Sequence, residues 1–354
     1  MNVYIRSTAN ISPQKTFGES YPPDAAVEYI GNRLNCIEPD YAKLIDAKLI
    51  RRMSRIIKMG AVSAMTCLQK TGLNMPDGIT TGTAYGCLED TSVFLTRLIE
   101  NEEEMLTPTA FIQSTHNTVG AQIALMIKCH HYNNTFVHRG FSFESALLDA
   151  MLLLRENHIT HVLAGAVDEI TDNSHAILTR LGLYKRKPVS NFSLLQSDSK
   201  GTMAGEGAAF FLLTNRSFPD NCAQLNAMHT FYKPHGIAEI QKNIISFLGE
   251  QLIDINNIDL IITGKNGDKK GDEIYKQLEH SIFTNHRTMH YKHLCGEYPT
   301  ASAFALWLAT SIVKEGIIPA WIENTDSNQP AAKRVLIYNH YENIYHSLFL
   351  ISAC

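Results

Sequence analysis

A chain of 354 residues, 45% hydrophobic and 19% charged, is long enough to bury a large core as one big domain or two joined ones. A net charge of -4 without a sustained basic run excludes a nucleic-acid binder, and leaves Arg51–Lys58 (RRMSRIIK) as a solvated helix face or an interface. No apolar stretch approaches the ~18–20 residues that span a bilayer, so membrane insertion is not expected.

The N-terminus (MNVYIRSTANISP) shows no basic leader or sustained apolar core, which predicts a cytoplasmic protein with reduced thiols. A strand near Val3–Arg6 precedes a polar loop and then a long helix at about Ala42–Thr71. Gly82–Gly86 opens a second unit after a short strand, and Ile112–Cys129 reads as a turn and a buried helix. Among the seven cysteines, only Cys129 has potential metal ligands beside it, His130 and His131. Adjacent ligands do not match the usual zinc spacings, so neither a metal nor a cofactor is expected.

The stretch Thr135–Leu152 carries the most information. An apolar strand end (Thr135, Phe136, Val137) runs through a turn at Gly140 into an amphipathic helix. Elbows of this kind hold a nucleophile at the positive end of the helix dipole. Here the turn offers His138, Arg139 and Gly140, and no Cys. Ser142 reads as the helix N-cap rather than a nucleophile, with Glu144 competing for the dipole in the first turn. Gly140 itself is expected to relieve a strained elbow backbone.

Ile159–Val167 and Gly205–Leu213 are predicted as buried strands. A second part begins near Asn221 with a strand (CAQLNAMHTF), a helix at about Ala238–Ile253 and the strand Ile258–Thr263, which ends in GKNGDKKGD. The turn HLCGEYPTAS then opens a helix at Ala301–Glu315, and VLIYNHYENIYHSLFLIS closes the chain. Short β-rich runs alternating with amphipathic helices predict an α/β fold with a layered sheet core, and sites at polar turns after strand ends.

In this order the turns resemble the β-ketoacyl-ACP synthases, the condensing enzymes of fatty-acid and polyketide synthesis. The most specific match is KGTMAGEGAAFFLL (Lys200–Leu213), with support from RRMSRIIKMGAVSA, NTVGAQIAL, LAGAVDE, IDLIITGKNGDKKGDE and YKHLCGEYPTASA. The resemblance implies a thiolase-like αβαβα layering with two pseudo-repeated halves, residues 1–216 and 217–354. It also implies a Cys-His-His triad, in which a thiolate accepts an acyl group and two His stabilise decarboxylation of a malonyl thioester.

All three triad positions are changed here. Gly140 stands for the Cys, Gly264 (or, with a small gap, Lys265) for the first His, and Glu297 for the second. Lys292 is retained upstream of the second His position. Asn339–Ile344 (NHYENI) replaces a Gly-rich gating loop, and Gln196 replaces an Asp. Lys265, Lys292 and Glu297 are expected to form a charged cluster that satisfies buried charges. The remaining pocket candidates are His116, His138, Ser142 and Cys295, with Cys295 expected to pack behind the second His position. Arg139 and His138 are placed near the dimer interface by the same resemblance.

The resemblance therefore implies a catalytically silent, chain-length-factor-like partner of an active ketosynthase, with an acyl carrier protein as a further partner and a homodimer as the other assembly. Two alternatives stay open. One is an acyl-thioester enzyme of altered chemistry acting through Glu297, Cys295 or Lys292. The other is a non-catalytic module that binds acyl chains or their carrier protein.

Overall fold

The computed structural model describes residues 2–18, 21–23, 25–156, 159–319 and 331–354. The first half supplies β1 (Val3–Ile11), α1 (Arg55–Gln69), β2 (Gly78–Gly82), α2 (Leu88–Glu100) and α3 (Pro108–Gln113). It continues with α4 (Thr118–Ile127), β3 (Tyr132–Phe136), α5 (Ser142–Arg155), β4 (His161–Asp168), α6 (Asp172–Leu181) and β5 (Gly207–Thr214). The second supplies β6 (Ala223–Tyr232), α7 (Ile237–Glu250), β7 (Leu260–Thr263), α8 (Glu273–Glu279) and β8 (Thr288–His290). The one-turn helix α9 (Lys292–Cys295), α10 (Ser302–Glu315) and the closing hairpin β9 (Arg334–Tyr341) and β10 (Tyr345–Ser352) follow.

Strand pairing shows the repeat directly. In the first half β1 pairs antiparallel with β5 and β5 antiparallel with β4, whereas β4–β2 and β2–β3 are parallel. In the second, β6–β10 and β10–β9 are antiparallel, and β9–β7 and β7–β8 are parallel. The two five-strand sets meet where β1 pairs with β6, with Val3 opposite Leu225.

Period-2 alternation along the strands divides their side chains among three helix layers. Leu163, Phe210 and Leu212 face α1 and α4 on one outer side. Their neighbours Ala164, Phe211 and Leu213 face inward, where α5 and α10 fill the space between the two five-strand sets together with Ile262, Ile337 and Phe349. Ile261, Leu336 and Leu348 pack on α7 and α8 on the far side. Each fully buried aliphatic or aromatic side chain in these layers contributes about 1.5–3 kcal/mol. As the innermost helix, α10 is buried from Ser302 to Val313, as expected of a helix without a polar face.

Two expectations need correction. The long helix at 42–71 is broken into a turn at Tyr41–Lys43, a one-turn helix at Ala47–Ile50, and α1. Asp40 and Asp46 accept backbone N–H bonds from Ala42 and Lys48, so each restarts the chain at a capped turn that competes with a continuous helix. The helix before the elbow is only half buried: Val119 and Ile123 face the core while Leu125 is exposed. No helix among the described residues is long and apolar enough to cross a membrane.

Candidate functional site

The retained motifs build a frame of saturated carboxylates. Glu206, fully buried at the head of β5, accepts two bonds from the Arg55 guanidinium (2.5 and 2.7 Å) and backbone N–H bonds from Cys36 (2.8 Å) and Ile170 (2.9 Å). The basic run at 51–58 is therefore not simply a solvated face, because Arg55 turns inward to this carboxylate and to Glu38. Asp168, at the end of β4, accepts from Thr83 Oγ1 (3.0 Å), Ala84 N (2.9 Å) and Thr300 Oγ1 (2.7 Å). Asp272 holds the turn after β7 through Asn266 N (2.8 Å) and Gly267 N (2.7 Å). Lys185 ties the same turn to its neighbour, donating to Ser197, Ser199 and the Gly267 carbonyl, and burial lowers its pKa. None of these roles was assigned from sequence. The signal was present for Glu206, in the GEG motif, but its partners lie far along the chain.

Against that frame, two of the three positions aligned with the triad are closed off, and the third is held in an ion pair at the edge of a cavity. At the elbow, β3 leads through His138 into a turn at Arg139–Phe141 and then α5. Gly140 is not the strained residue; Arg139 is, with φ of 49°. What requires glycine at 140 is proximity: a Cβ there would lie 2.8 Å from the Tyr341 Cβ and 2.9 Å from the Tyr345 Cβ. Phe141, Tyr341 and Tyr345 form a small aromatic cluster, with the Phe141 and Tyr345 rings edge-on at 5.0 Å. The hairpin of β9 and β10 thus occupies the space a longer side chain at 140 would use.

Ser142 is not the helix cap. Its Oγ accepts from His138 N and donates to the Arg139 carbonyl, both at 2.8 Å, so the hydroxyl braces the elbow. Glu144 lies in the first turn of α5, as expected. It is buried beside the Ser302 and Ser347 hydroxyls, and desolvation pushes its pKa up to about 7 against their pull.

The first histidine position repeats the pattern. A Cβ on Gly264 would meet the Asn339 Oδ1, the Tyr275 hydroxyl and the Lys292 Cε. Asn339 also accepts from the Tyr291 hydroxyl at 2.9 Å. Lys265 points elsewhere, to Glu279 at 3.4 Å, with His290 3.8 Å from the same carboxylate. The expected three-member cluster is therefore a pair without Lys265. Adjacent residues at a strand end face opposite ways, which sends 264 and 265 to different surroundings.

At the second histidine position, Glu297 Oε2 takes the Lys292 ammonium at 2.7 Å and the Asn266 amide at 2.6 Å. Lys292 also donates to the His340 carbonyl at 3.0 Å. Burial raises the Glu297 pKa, and Lys292 opposes the rise. The strand at 203–205 clamps this residue, with Glu297 N donating to the Met203 carbonyl and Gly205 N to the Glu297 carbonyl. Cys295 is wholly buried, and its thiol pKa is pushed well up by burial. That is the reverse of what a nucleophilic thiolate needs.

The rewritten terminal loop is pinned. His340 Nδ1 accepts from Asn343 N at 3.3 Å, which leaves Nε2 to donate to the Gly271 carbonyl at 3.1 Å. Burial depresses its pKa, so the ring is neutral in that network. Beside it lies a cavity of about 380 Å³ lined by Tyr184, Asn266, Glu297 and Tyr341 among others. Of the sequence candidates only Glu297 lines it. His116 and His138 are exposed, while Ser142 and Cys295 are buried away from its walls. Asn339, Tyr341 and Tyr345 were missed as site residues. The replacement of a glycine-rich loop by bulky ones was their only signal.

Comparisons with known proteins agree with this fold. The family described as beta-ketoacyl synthase, N-terminal domain, matches residues 34–214. No curated protein matches the sequence. Among solved structures, the ishigamide ketosynthase/chain length factor superposes with a TM-score of 0.81 at 16% identity, covering 100% of this chain and 99% of that one. The ketosynthase ApeO in complex with its chain length factor ApeC, from Xenorhabdus doucetiae, gives 0.78 at 14% identity, with 100% and 98% covered. A beta-ketoacyl synthase from Burkholderia phymatum gives 0.80 at 14% identity, with 100% and 99% covered.

Proposed function

This chain belongs to the β-ketoacyl synthase family, and from that premise we propose that it is a catalytically silent homologue serving as the chain-length-factor-like partner of an active ketosynthase. Its setting is acyl-chain assembly of the fatty-acid, polyketide or aryl-polyene kind, in the cytoplasm, with the growing chain carried by an acyl carrier protein. The halves proposed at 1–216 and 217–354 then act as scaffold. The observation that carries this reading is that all three positions aligned with the triad lack its residues, with 140 and 264 filled by the chain's own side chains and Glu297 held in an ion pair. Tyr341 and Tyr345 close 140, Asn339 and Tyr275 close 264, and Lys292 with Asn266 ties down Glu297.

The partner surface follows from the fold. β3 ends the sheet order among the described residues, and such an edge can be extended by a second sheet. Tyr132, Val137, Leu148 and Leu152 are exposed apolar residues on β3, the elbow and α5. Similarity to structures that hold a ketosynthase with its chain length factor supports an active ketosynthase as the occupant. Nothing favours the altered-enzyme reading: Cys295 is a protonated buried thiol, and Lys292 and Glu297 neutralise each other. Co-expression with ketosynthases encoded nearby, followed by native mass measurement, tests the proposal. A one-to-one heterodimer is expected. A homodimer with every candidate would overturn it.

A further inference from the structure

The seven cysteines fall into two groups. Cys67, Cys87, Cys129 and Cys295 are buried, and the Cys36 thiol donates to the Ile11 and Glu206 carbonyls. The remaining two, the partly exposed Cys222 and the exposed Cys354, flank neighbouring strands. Cys222 immediately precedes β6, and Cys354 follows β10 after Ala353.

The ladder between those strands sets the two thiols together. β6 and β10 run antiparallel, with Ile351 opposite Leu225 and Ser352 opposite Gln224. Carried on by two residues, that register puts Cys354 opposite Cys222. Both flanks are held beyond the strand ends, because Cys222 N donates to the Ile5 carbonyl at 2.7 Å and Ala353 N to the Lys333 carbonyl at 2.8 Å. Ala223, Leu225 and Ile351 face the inner layer, so strand alternation sends Cys222 and Cys354 together to the other side of the sheet, with Gln224 and Ser352. Residues directly opposite in an antiparallel pair have Cα atoms about 4.5–5.5 Å apart, inside the range of about 4.4–6.8 Å that a disulfide spans. The two thiols also sense each other. Burial raises the Cys222 pKa, Lys314 and Lys70 oppose the rise, and Cys354 adds to it.

We propose that Cys222 and Cys354 form a reversible disulfide that joins the first strand of the second half to its last, and that the native register accommodates it. In a reducing compartment both rest as thiols, and a small-molecule disulfide such as oxidised glutathione closes the link. The Cys354 thiolate, the more accessible, attacks one glutathione sulfur and forms a mixed disulfide, releasing the first glutathione. The Cys222 thiolate then attacks the Cys354 sulfur and releases the second. Two protein thiols are oxidised, one glutathione disulfide is reduced, and the two protein protons end on the released glutathione thiols. The loop so closed contains β6 to β10 entire, so the link chiefly restrains the unfolded second half. This site stands whether or not the chain pairs with a ketosynthase.

The full folded chain, incubated with oxidised glutathione, tests it by intact mass and then by peptide mapping after alkylation in denaturant. A chain lighter by two hydrogens is expected, with tryptic peptides Ser217–Lys242 and Val335–Cys354 cross-linked and the other five cysteines alkylated. Dithiothreitol should reverse the change, and the oxidised chain should unfold at a higher denaturant midpoint than the reduced one. Cys354→Ser, at an exposed position, should abolish both the cross-link and the shift in midpoint. An unchanged chain, a lasting glutathionyl adduct on Cys354 with Cys222 alkylated, or a link to any other cysteine would overturn the proposal. So would a cross-linked chain no more stable than the reduced one.

Discussion

Two buried carboxylates, Glu206 and Glu297, each pair with a cation, yet they behave as different kinds of object. Glu206 receives four donors, two on each oxygen, and leaves no capacity unused. Glu297 places both of its donors on one oxygen and leaves the other, also buried, without a partner among the described residues. A saturated charge belongs to the frame, because removing it orphans groups from distant segments. A half-saturated one ties fewer segments together, so less of the fold depends on it.

The largest expected effect breaks that contrast at its strong end. Glu206→Gln should cost about 4 kcal/mol, since it uncouples Arg55 and weakens two backbone donors at once. Glu297→Gln should cost about half as much, because Lys292 retains the His340 carbonyl. Denaturant midpoints at constant slope measure both, and equal losses would erase the distinction.

Glu144 sharpens the comparison through pH. Its folded pKa is raised from 4.5 to about 7, so the native state holds a proton there that the unfolded chain has released. Stability from this group is full below about pH 4.5 and is lost as pH rises to about 7. Glu169, also raised to about 7, adds a second contribution of the same sign. The loss from Glu144 reaches about 3 kcal/mol by pH 8. Melting curves between pH 5 and 8 should show this decline, and Glu144→Gln should flatten it by that amount.

Gly140→Ala is next, at about 2 kcal/mol, because its methyl enters the space held by Tyr341 and Tyr345. Paired with Tyr345→Ala, the same substitution should cost less than the sum of the two single changes, as expected for side chains sharing one space. The smallest effect belongs to Lys265→Ala, about 0.5 kcal/mol, since its partner Glu279 is partly exposed. A loss as large as that for Lys292→Ala would return Lys265 to the site.

The layered fold was legible from the sequence because it rests on alternating strands, amphipathic helices and turn motifs, which are local patterns. The resemblance pointed to Gly140, Gly264 and Glu297 through the same kind of local motif. What surrounds them was not legible. Tyr341 and Tyr345 reach Gly140 from some 200 residues along the chain, and only the register of the hairpin, Tyr341 opposite Tyr345, puts both at the elbow. Glycine at 140 suggested backbone strain, but a close neighbour gives the same residue choice, and sequence alone does not separate the two causes. Lys265 and Lys292 looked like one cluster until the strand pleat sent Lys265 to Glu279.

The central claim is that the chain carries no nucleophile at its closed elbow. Intact-mass measurement of the wild-type protein after incubation with acyl- and malonyl-carrier-protein thioesters tests it most directly. An unchanged chain mass and an intact malonyl thioester are the predicted result. A chain heavier by one acyl group, or malonyl thioester converted to acetyl thioester, would contradict it.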